Sequence, residues 1–209
     1  MRLPEVTSTG SWFTTGRFLF ILVILYYLPA LLLLVGLLPF DWRFQILAVM
    51  TLVLLTYDYW QGFSLKELGF RRDTLKGALL LNAFASLLLV GLMLLAFRAG
   101  LIRTPTVPGW KLFFVYCFFI SSSSQEFLYR SNVFAIMRRH NIRGPLVQII
   151  ISAVTYRFLH IFYKDPIAIL ATLVMGILWG AIYYRYPNFW GVALSHAVLG
   201  ATAIKVGLV

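Results

Sequence analysis

Apolar residues fill seven long stretches of this 209-residue chain, and short polar segments separate them. Most of the stretches reach the roughly 20 residues that an α-helix needs to cross the hydrocarbon core of a bilayer. They lack the alternation of apolar and polar residues that is typical of outer-membrane barrel strands. The pattern predicts an all-α, polytopic transmembrane bundle of about seven (six to eight) helices, forming one domain over residues 1–209. The predicted spans are residues 18–40, 44–60, 76–97, 111–137, 145–163, 166–185 and 189–208.

The fourth predicted span is unlike the others. It is too long for a perpendicular crossing, and it is polar from Ser121 to Arg130. We expect this helix to tilt, or to project into the cytoplasm at its polar end.

Composition supports a membrane protein. Hydrophobic residues make up 61% of the chain and charged residues 12%, and the mean hydropathy is +0.86. These values exclude an ordinary soluble domain. The formal charge of +11 comes from 18 Lys and Arg against 7 Asp and Glu. In a membrane protein this bias favours loops that face anionic lipid headgroups, and we expect a lipid bilayer and no nucleic acid as partner.

The distribution of the basic residues indicates an orientation. With the N-terminus in the cytoplasm, ten basic residues fall on the cytoplasmic side and six on the other, which is the positive-inside arrangement. The ten are Arg2, Arg17, Lys66, Arg71, Arg72, Lys76, Arg138, Arg139, Arg143 and Arg185, and the six are Arg43, Arg98, Arg103, Lys111, Lys164 and Lys205.

Three ionisable residues inside the predicted spans are the best candidates for a functional site. Glu126 is the only carboxylate well inside an apolar span, and His160 and His196 lie in later spans. Counted at 1.5 Å per residue, the three lie within roughly two helical turns of the same membrane depth. Ionisable groups at this depth are costly and usually functional. Arg130 follows Glu126 at i+4 and can pair with it on the same helix face.

A glutamate and two imidazoles around one small volume can activate a water molecule and stabilise an oxyanion, as peptide hydrolysis requires. They can also ligate a metal, because two His and one carboxylate suit zinc or iron, although no H-E-x-x-H helix is present. The structural alternatives stay open as well. Glu126 and Arg130 could form an ion pair that stabilises the bundle, and each histidine could be bonded to a backbone carbonyl.

Three sequence blocks resemble the CPBP family of intramembrane proteases, also called the ABI or type II CAAX prenyl endopeptidase family. Residues 125–130 (QEFLYR) resemble the first family motif, EExxxR, and residues 156–160 (YRFLH) resemble the second, FxxxH. Residues 176–200, with Ser195-His196 near their end, resemble the third block, which closes on HxxxN or a variant. Residues 67–71 (ELGFR) are similar to a short signature that precedes the catalytic core.

The resemblance implies a catalytic core over about residues 111–209 and a glutamic peptidase that needs no cofactor. It implies that Glu126 and His160 activate water, that His196 helps to bind the oxyanion, and that Arg130 and Tyr156 support the site. Two departures matter. Gln125 replaces the first motif glutamate, which is generally assigned as the base, and Gly200 replaces the motif-three asparagine. Glu126 is then the only motif-one carboxylate.

The leading hypothesis is an intramembrane endopeptidase in a prokaryotic inner or plasma membrane. Its substrate would be a membrane-associated peptide or protein, prenylated or carrying a leader or sorting signal. The second hypothesis is a non-proteolytic member that binds or stabilises a membrane protein partner in a complex. A metal-dependent enzyme that uses Glu126, His160 and His196 as ligands is a minor alternative. A transporter is disfavoured because the chain lacks a repeated pair of broken helices.

Overall fold

The computed structural model describes residues 15–102, 109 and 112–208, and over these residues it is helical with no β-strand. Three basic residues of the orientation count, Arg2, Arg103 and Lys111, lie outside the described part. Within that part the chain forms seven long helices, here α1 to α7. Six of them are long and apolar enough to cross a membrane. The protein is therefore an integral, multi-pass membrane protein with the predicted all-α fold.

Two of the seven helices are composite. Helix α1 joins Thr15–Ile21, the π-helical Leu22–Tyr27 and Leu28–Leu34, and α4 joins Leu112–Ser121, Ser122–Glu126, Phe127–Asn132 and Val133–Arg139, of which the first and third are π-helical. The others are α2 (Arg43–Trp60), α3 (Leu75–Arg98), α5 (Pro145–Leu159), α6 (Pro166–Arg185) and α7 (Phe189–Val206). Short 3₁₀ turns, Phe40–Trp42 and Ile161–Tyr163, precede α2 and follow α5.

Local sequence signals explain where these helices begin and end. Asp165 caps α6 by accepting the Ile167 N–H at 2.9 Å, and Pro166 follows at the first helical position, where its missing N–H does no harm. Gly207 ends α7 with φ of 78°. Gly36, also at φ 78°, ends α1 near residue 34. The prediction that the first span continues to residue 40 was therefore wrong.

Helix α4 lies at the centre of the bundle. Every residue from Ser124 to Met137 is buried, and helices α2, α5, α6 and α7 contact this segment. The polar residues between Ser121 and Arg130 thus lie inside the protein. The expectation that this end of the helix projects into the cytoplasm was wrong. Neighbouring helices supply the polar partners that lipid cannot offer.

The loops fall into two groups on opposite sides of the bundle. On one side, the Phe189 N–H donates to the Gly69 carbonyl at 3.0 Å, and Asn188 Nδ2 donates to the Arg71 carbonyl at 2.6 Å. On the other side, the Phe40 ring packs against the Phe162 and Tyr163 rings. These contacts agree with helices that cross the membrane alternately.

The loop between α2 and α3 is held against the end of α4. Arg139 donates to both Glu67 oxygens, at 2.9 and 3.0 Å, and its guanidinium lies 3.5 Å from the centre of the Phe63 ring. Burial alone would raise the pKa of Glu67, but hydrogen bonds from Arg139 and Ser64 outweigh it and lower this pKa. The loop is therefore anchored by an ionised carboxylate.

Candidate active site

Glu126 and His196 meet in the interior of the bundle, although 70 positions separate them in the chain. The Glu126 Oε1 atom on α4 lies 2.7 Å from His196 Nδ1 on α7, and the Glu126 side chain is fully buried. A carboxylate at Nδ1 fixes the proton on that nitrogen, and Nε2 of the neutral ring is then an acceptor. The predicted convergence of these two residues is thus seen directly.

Arg130 compensates the charge of Glu126. Its Nε lies 3.2 Å from Glu126 Oε2, and both side chains are fully buried. This distance satisfies an ion pair, but in the described part of the chain neither Oε2 nor the guanidinium nitrogens make a well-aligned hydrogen bond. The contact between Glu126 and Arg130 is therefore an electrostatic attraction without a hydrogen bond. The guanidinium also lies over the Tyr156 ring at 4.4 Å and near the Trp179 ring at 5.4 Å, two favourable cation–π contacts.

Tyr156 contacts both histidines. The centre of its ring is 4.8 Å from the His160 ring and 5.8 Å from the His196 ring, and its hydroxyl is 3.4 Å from His196 Nε2. That last distance is at the outer limit of a hydrogen bond. The described contacts thus join His160 to the Glu126–His196 pair through Tyr156. The sequence predicted a common site; the structure brings Glu126 and His196 into direct contact, and His160 is linked to them by its contact with Tyr156.

His160 lines a small cavity. Its Nδ1 donates to the Tyr156 backbone carbonyl at 3.1 Å, as the structural alternative predicted, and this bond leaves Nε2 as the acceptor. His160, Ser121 and Gln125 line a cavity of about 30 Å³ together with Arg43, Tyr163 and apolar residues of α1, α2 and the end of α5. A cavity of that volume is large enough for a water molecule.

Gln125 also lines this cavity, and one hydrogen bond fixes its side-chain amide. Its Nε2 donates to Ser121 Oγ at 2.6 Å, which fixes the amide, and the residue is 7% exposed. In the described part of the chain its Oε1 is buried without a hydrogen-bond partner. A buried acceptor without a partner is costly, so an oxygen next to a polar, water-sized cavity calls for a donor there.

Two glycines near the site, Gly176 and the motif position Gly200, act through packing. At Gly176, a Cβ would lie 2.9 Å from Ala153 Cα, so α5 and α6 approach closely there. One turn further along each helix, this approach brings Tyr156 against Trp179. Gly200 lies beside His196, and a Cβ there would be 3.7 Å from the ring, in ordinary contact. Gly200 therefore leaves the ring edge uncovered and supplies no side-chain donor.

Sequence reasoning missed Trp179 and Asp58. Trp179 stacks on the His196 ring at 4.5 Å and donates from Nε1 to Ser195 Oγ at 3.0 Å, so it fixes the plane of the imidazole. Its position one turn after Gly176 was the available signal. Asp58, near the end of α2, is 2% exposed and accepts from Asn132 Nδ2 at 2.7 Å. A carboxylate close to the end of a span looks solvated in sequence, although α4 covers this one.

The predicted metal alternative requires three ligands around one point. In residues 15–102, 109 and 112–208, no group of three or more His, Cys, Asp or Glu side chains is arranged to hold an ion. Glu126 and His196 contact each other, and His160 contacts the Tyr156 ring.

Together these features define a class: a polytopic helical membrane protein with a buried carboxylate–imidazole pair and a water-sized cavity lined by a histidine and a glutamine. Residues 107–202 match the family described as type II CAAX prenyl endopeptidase Rce1-like. This segment, which covers a little less than half of the chain and contains Glu126, His160 and His196, is thus similar to that family, and the match is consistent with the resemblance to the CPBP family that the motifs carry. Comparisons with curated proteins and with solved structures found no match.

Proposed function

We propose that this protein is an intramembrane endopeptidase that hydrolyses a peptide bond of a membrane-associated peptide. The carrying observation is the small cavity shared by Gln125 and His160, together with the contacts that link His160 through Tyr156 to the Glu126–His196 pair. A protease family supports hydrolysis in general. The roles of the individual residues follow from the contacts of this chain and differ from those that the family resemblance implies.

His160 is the residue best placed to accept the proton of a water molecule. Its Nδ1 is used by the Tyr156 carbonyl, so Nε2 carries the lone pair, and the residue lines the cavity. Gln125 Oε1 can accept one hydrogen of the same water and orient its lone pair towards a substrate carbonyl. An amide cannot act as the base itself, so Gln125 is a positioning residue.

Glu126 has another task in this proposal. Its two oxygens face His196 and Arg130, and it is absent from the residues that line the cavity. The carboxylate accepts from Nδ1 and fixes the orientation of the ring, and a His196 side chain that carries a proton on both nitrogens would donate from Nε2 to the oxyanion that forms on the substrate. Glu126 therefore acts through His196, and the general base is His160.

The proposal is tested with purified protein in nanodiscs and a library of quenched fluorescent peptides attached to a lipid anchor. The unaltered protein should cleave a subset of peptides, and a chelator should leave the rate unchanged. His160→Ala should lower the rate at least a hundredfold, the usual contribution of a positioned proton acceptor. His140→Ala is the matched control, because His140 packs on Phe18 away from this cavity. Equal rates for both variants would overturn the proposal, and loss of activity with the chelator would favour a metal enzyme.

A second candidate function is the binding or stabilisation of a membrane protein partner without proteolysis. Two observations favour it: an amide occupies the first motif position, and the position after His196 on the same helix face carries no side chain. The test is genetic. A folded Gln125→Ala, His160→Ala double variant should retain the cellular phenotype if binding is the function, and lose it if hydrolysis is.

A further inference from the structure

A charged residue lies on the wall of the cavity that Gln125 and His160 share. Arg43, at the start of α2, lines this cavity, and among the described residues that do so it is the only Arg, Lys, Asp or Glu. Its side chain is 20% exposed, whereas its Nε atom is buried. The cavity is partly open, so Arg43 extends from the surface of the bundle to the space beside the two candidate site residues.

Part of the Arg43 guanidinium is engaged within the chain. Its Nη1 donates to the Phe40 backbone carbonyl at 3.1 Å. The guanidinium also lies 4.2 Å from the centre of the Phe40 ring and 4.6 Å from that of the Phe44 ring. Aromatic faces attract a cation, but they do not replace the acceptors that its five N–H donors require. These contacts therefore orient the guanidinium and leave donors for another partner.

The Nε atom of Arg43 lacks an acceptor. In the described part of the chain it is buried without a hydrogen-bond partner, and a buried donor is costly to leave unpaired. Asp41 forms an ion pair with Arg43, but its Oδ1 is 3.8 Å from Nη1 and its side chain is 96% exposed. That distance is too long for a hydrogen bond, and so exposed a pair contributes little. Arg43 thus calls for an anionic acceptor that reaches Nε.

Guanidinium chemistry indicates the class of that acceptor. A carboxylate presents two oxygens that match two adjacent N–H groups, and such charge-assisted bonds are roughly twice as strong as neutral ones. The phosphate of a membrane lipid carries two bulky substituents and stays at the outer surface, whereas the unpaired Nε is buried. A carboxylate of a peptide that enters the cavity is the better match.

We propose that Arg43 binds a carboxylate of the peptide substrate and so determines which peptides are cleaved. This role rests on the proposed peptidase function. The carboxylate is either an Asp or Glu side chain or the C-terminus of the peptide. Arg43 and His160 line one small cavity, and an extended residue spans about 3.3–3.6 Å, so the carboxylate lies within about two residues of the bond that is cut.

The test compares matched peptides, starting from one that the unaltered protein cleaves in nanodiscs. Glu and Gln are exchanged at each of the two positions on either side of the cleaved bond, and each peptide is made with a free and with an amidated C-terminus. We expect kcat/KM to be at least about tenfold higher for peptides that carry the carboxylate, since a charge-assisted hydrogen bond typically contributes that much. The two exchanges show whether the side-chain or the terminal carboxylate binds.

Variants of Arg43 separate carboxylate binding from a purely structural role. Arg43→Gln should abolish the preference by raising KM for the acidic peptide, with little effect on the neutral one. Arg43→Lys should keep a reduced preference, and Arg43→Glu should favour a Lys peptide over a Glu peptide. Arg98→Gln is the matched control, because it removes an exposed arginine on the same side of the bundle, outside the cavity, and should change nothing.

Three results would overturn the proposal. Equal cleavage of acidic and neutral peptides by the unaltered protein would return Arg43 to a structural or lipid-binding role. The other two are a preference that persists in Arg43→Gln and a preference that Arg98→Gln also abolishes. Circular dichroism and gel filtration establish that each variant is folded.

Cleavage of no peptide would instead overturn the proposed peptidase function. Binding of Glu and Gln versions of the library peptides to the His160→Ala protein, followed by fluorescence anisotropy, then tests Arg43 by itself. Tighter binding of the Glu versions, lost in a His160→Ala, Arg43→Gln protein, would support the carboxylate site, and equal binding would overturn it.

Discussion

Charge inside the bundle is compensated within one helical turn of α4. Glu126 and Arg130 are both fully buried, and the carboxylate accepts from His196 while the guanidinium lies over two aromatic rings. Desolvation of such a pair is expensive, and removing one partner leaves the other as an isolated charge. The site is therefore costly to build, which explains why each charge has several contacts.

This arrangement predicts that Glu126→Leu destabilises the protein more than the double variant Glu126→Leu, Arg130→Met. The single variant leaves the Arg130 charge uncompensated and should cost about 3–5 kcal/mol, whereas the double variant removes both charges and should cost less. Thermal unfolding in detergent, followed by circular dichroism, measures the difference. A double variant that is less stable than the single one would contradict the compensation of these two charges.

At the scale of helices, the close approach of α5 and α6 aligns the site. Gly176 lies against the backbone of Ala153, whereas Gly180 faces the Ile149 side chain, where a Cβ would be 3.4 Å from Cγ2. Backbone cannot move aside cheaply, but a terminal methyl group can. A methyl group added at Gly176 should therefore be tolerated less well than one added at Gly180.

We predict that Gly176→Ala lowers the free energy of unfolding by about 1–2 kcal/mol, since overpacking typically costs about 1–3 kcal/mol and the gain in helix propensity offsets part of it. Gly180→Ala should be neutral or slightly stabilising for the same propensity reason. Denaturant unfolding of both variants is the measurement. Equal stability of the two would show that α5 and α6 adjust freely and that the backbone contact at Gly176 does not fix their spacing.

The loop that joins α2 and α3 gives a pH-dependent prediction. The pKa of Glu67 is lowered in the folded state, so its stabilising contribution is complete above the ordinary glutamate pKa of about 4.3 and is lost as the pH falls through the folded-state pKa. Glu67→Gln should therefore cost about 0.2–1 kcal/mol at pH 7 and progressively less below pH 4. The control is Asp41→Asn, an exposed carboxylate 3.8 Å from Arg43. A Glu67→Gln effect that is independent of pH would contradict the ion pair.

On the scale of the whole molecule, the described basic residues are unevenly divided between the two sides. Outside the buried Arg130 and the span residue Arg157, the side with the α2–α3 loop carries nine of them, and the opposite side carries Arg43, Arg98, Lys164 and Lys205. The nine are Arg17, Lys66, Arg71, Arg72, Lys76, Arg138, Arg139, Arg143 and Arg185. This asymmetry supports the prediction that the richer side faces the cytoplasm.

Cysteine accessibility tests that orientation at the two ends of α3. In a Cys117→Ala background, an impermeant maleimide should label Ala99→Cys on intact cells and Arg72→Cys only after permeabilisation. Both positions are exposed, so their labelling depends on the side of the membrane. The reverse pattern would place the N-terminus outside.

The fold was predictable from the sequence because the length and the hydropathy of each span are properties of one continuous stretch of residues. The Glu126–Arg130 pair was also predictable, since both residues lie on one helix face. The burial of Asp58 depends on how separate helices pack, and so does the contact of Tyr156 with His196. No local sequence pattern encodes the packing of separate helices. The same reason explains why Gln125, an apparent loss of chemistry in the sequence, lies beside His160 on the cavity.

The proposed mechanism depends most on His160, and not Glu126, being the general base. The measurement is the cleavage rate of one identified peptide by His160→Ala and by Glu126→Gln, each normalised to folded protein. Because glutamine can still accept from His196 Nδ1, we predict that Glu126→Gln lowers the cleavage rate by about tenfold to a hundredfold. His160→Ala should lower the rate by at least about a hundredfold, and by more than Glu126→Gln does. A Glu126→Gln protein that is folded and as inactive as His160→Ala, or more so, would contradict this mechanism and return the role of base to Glu126.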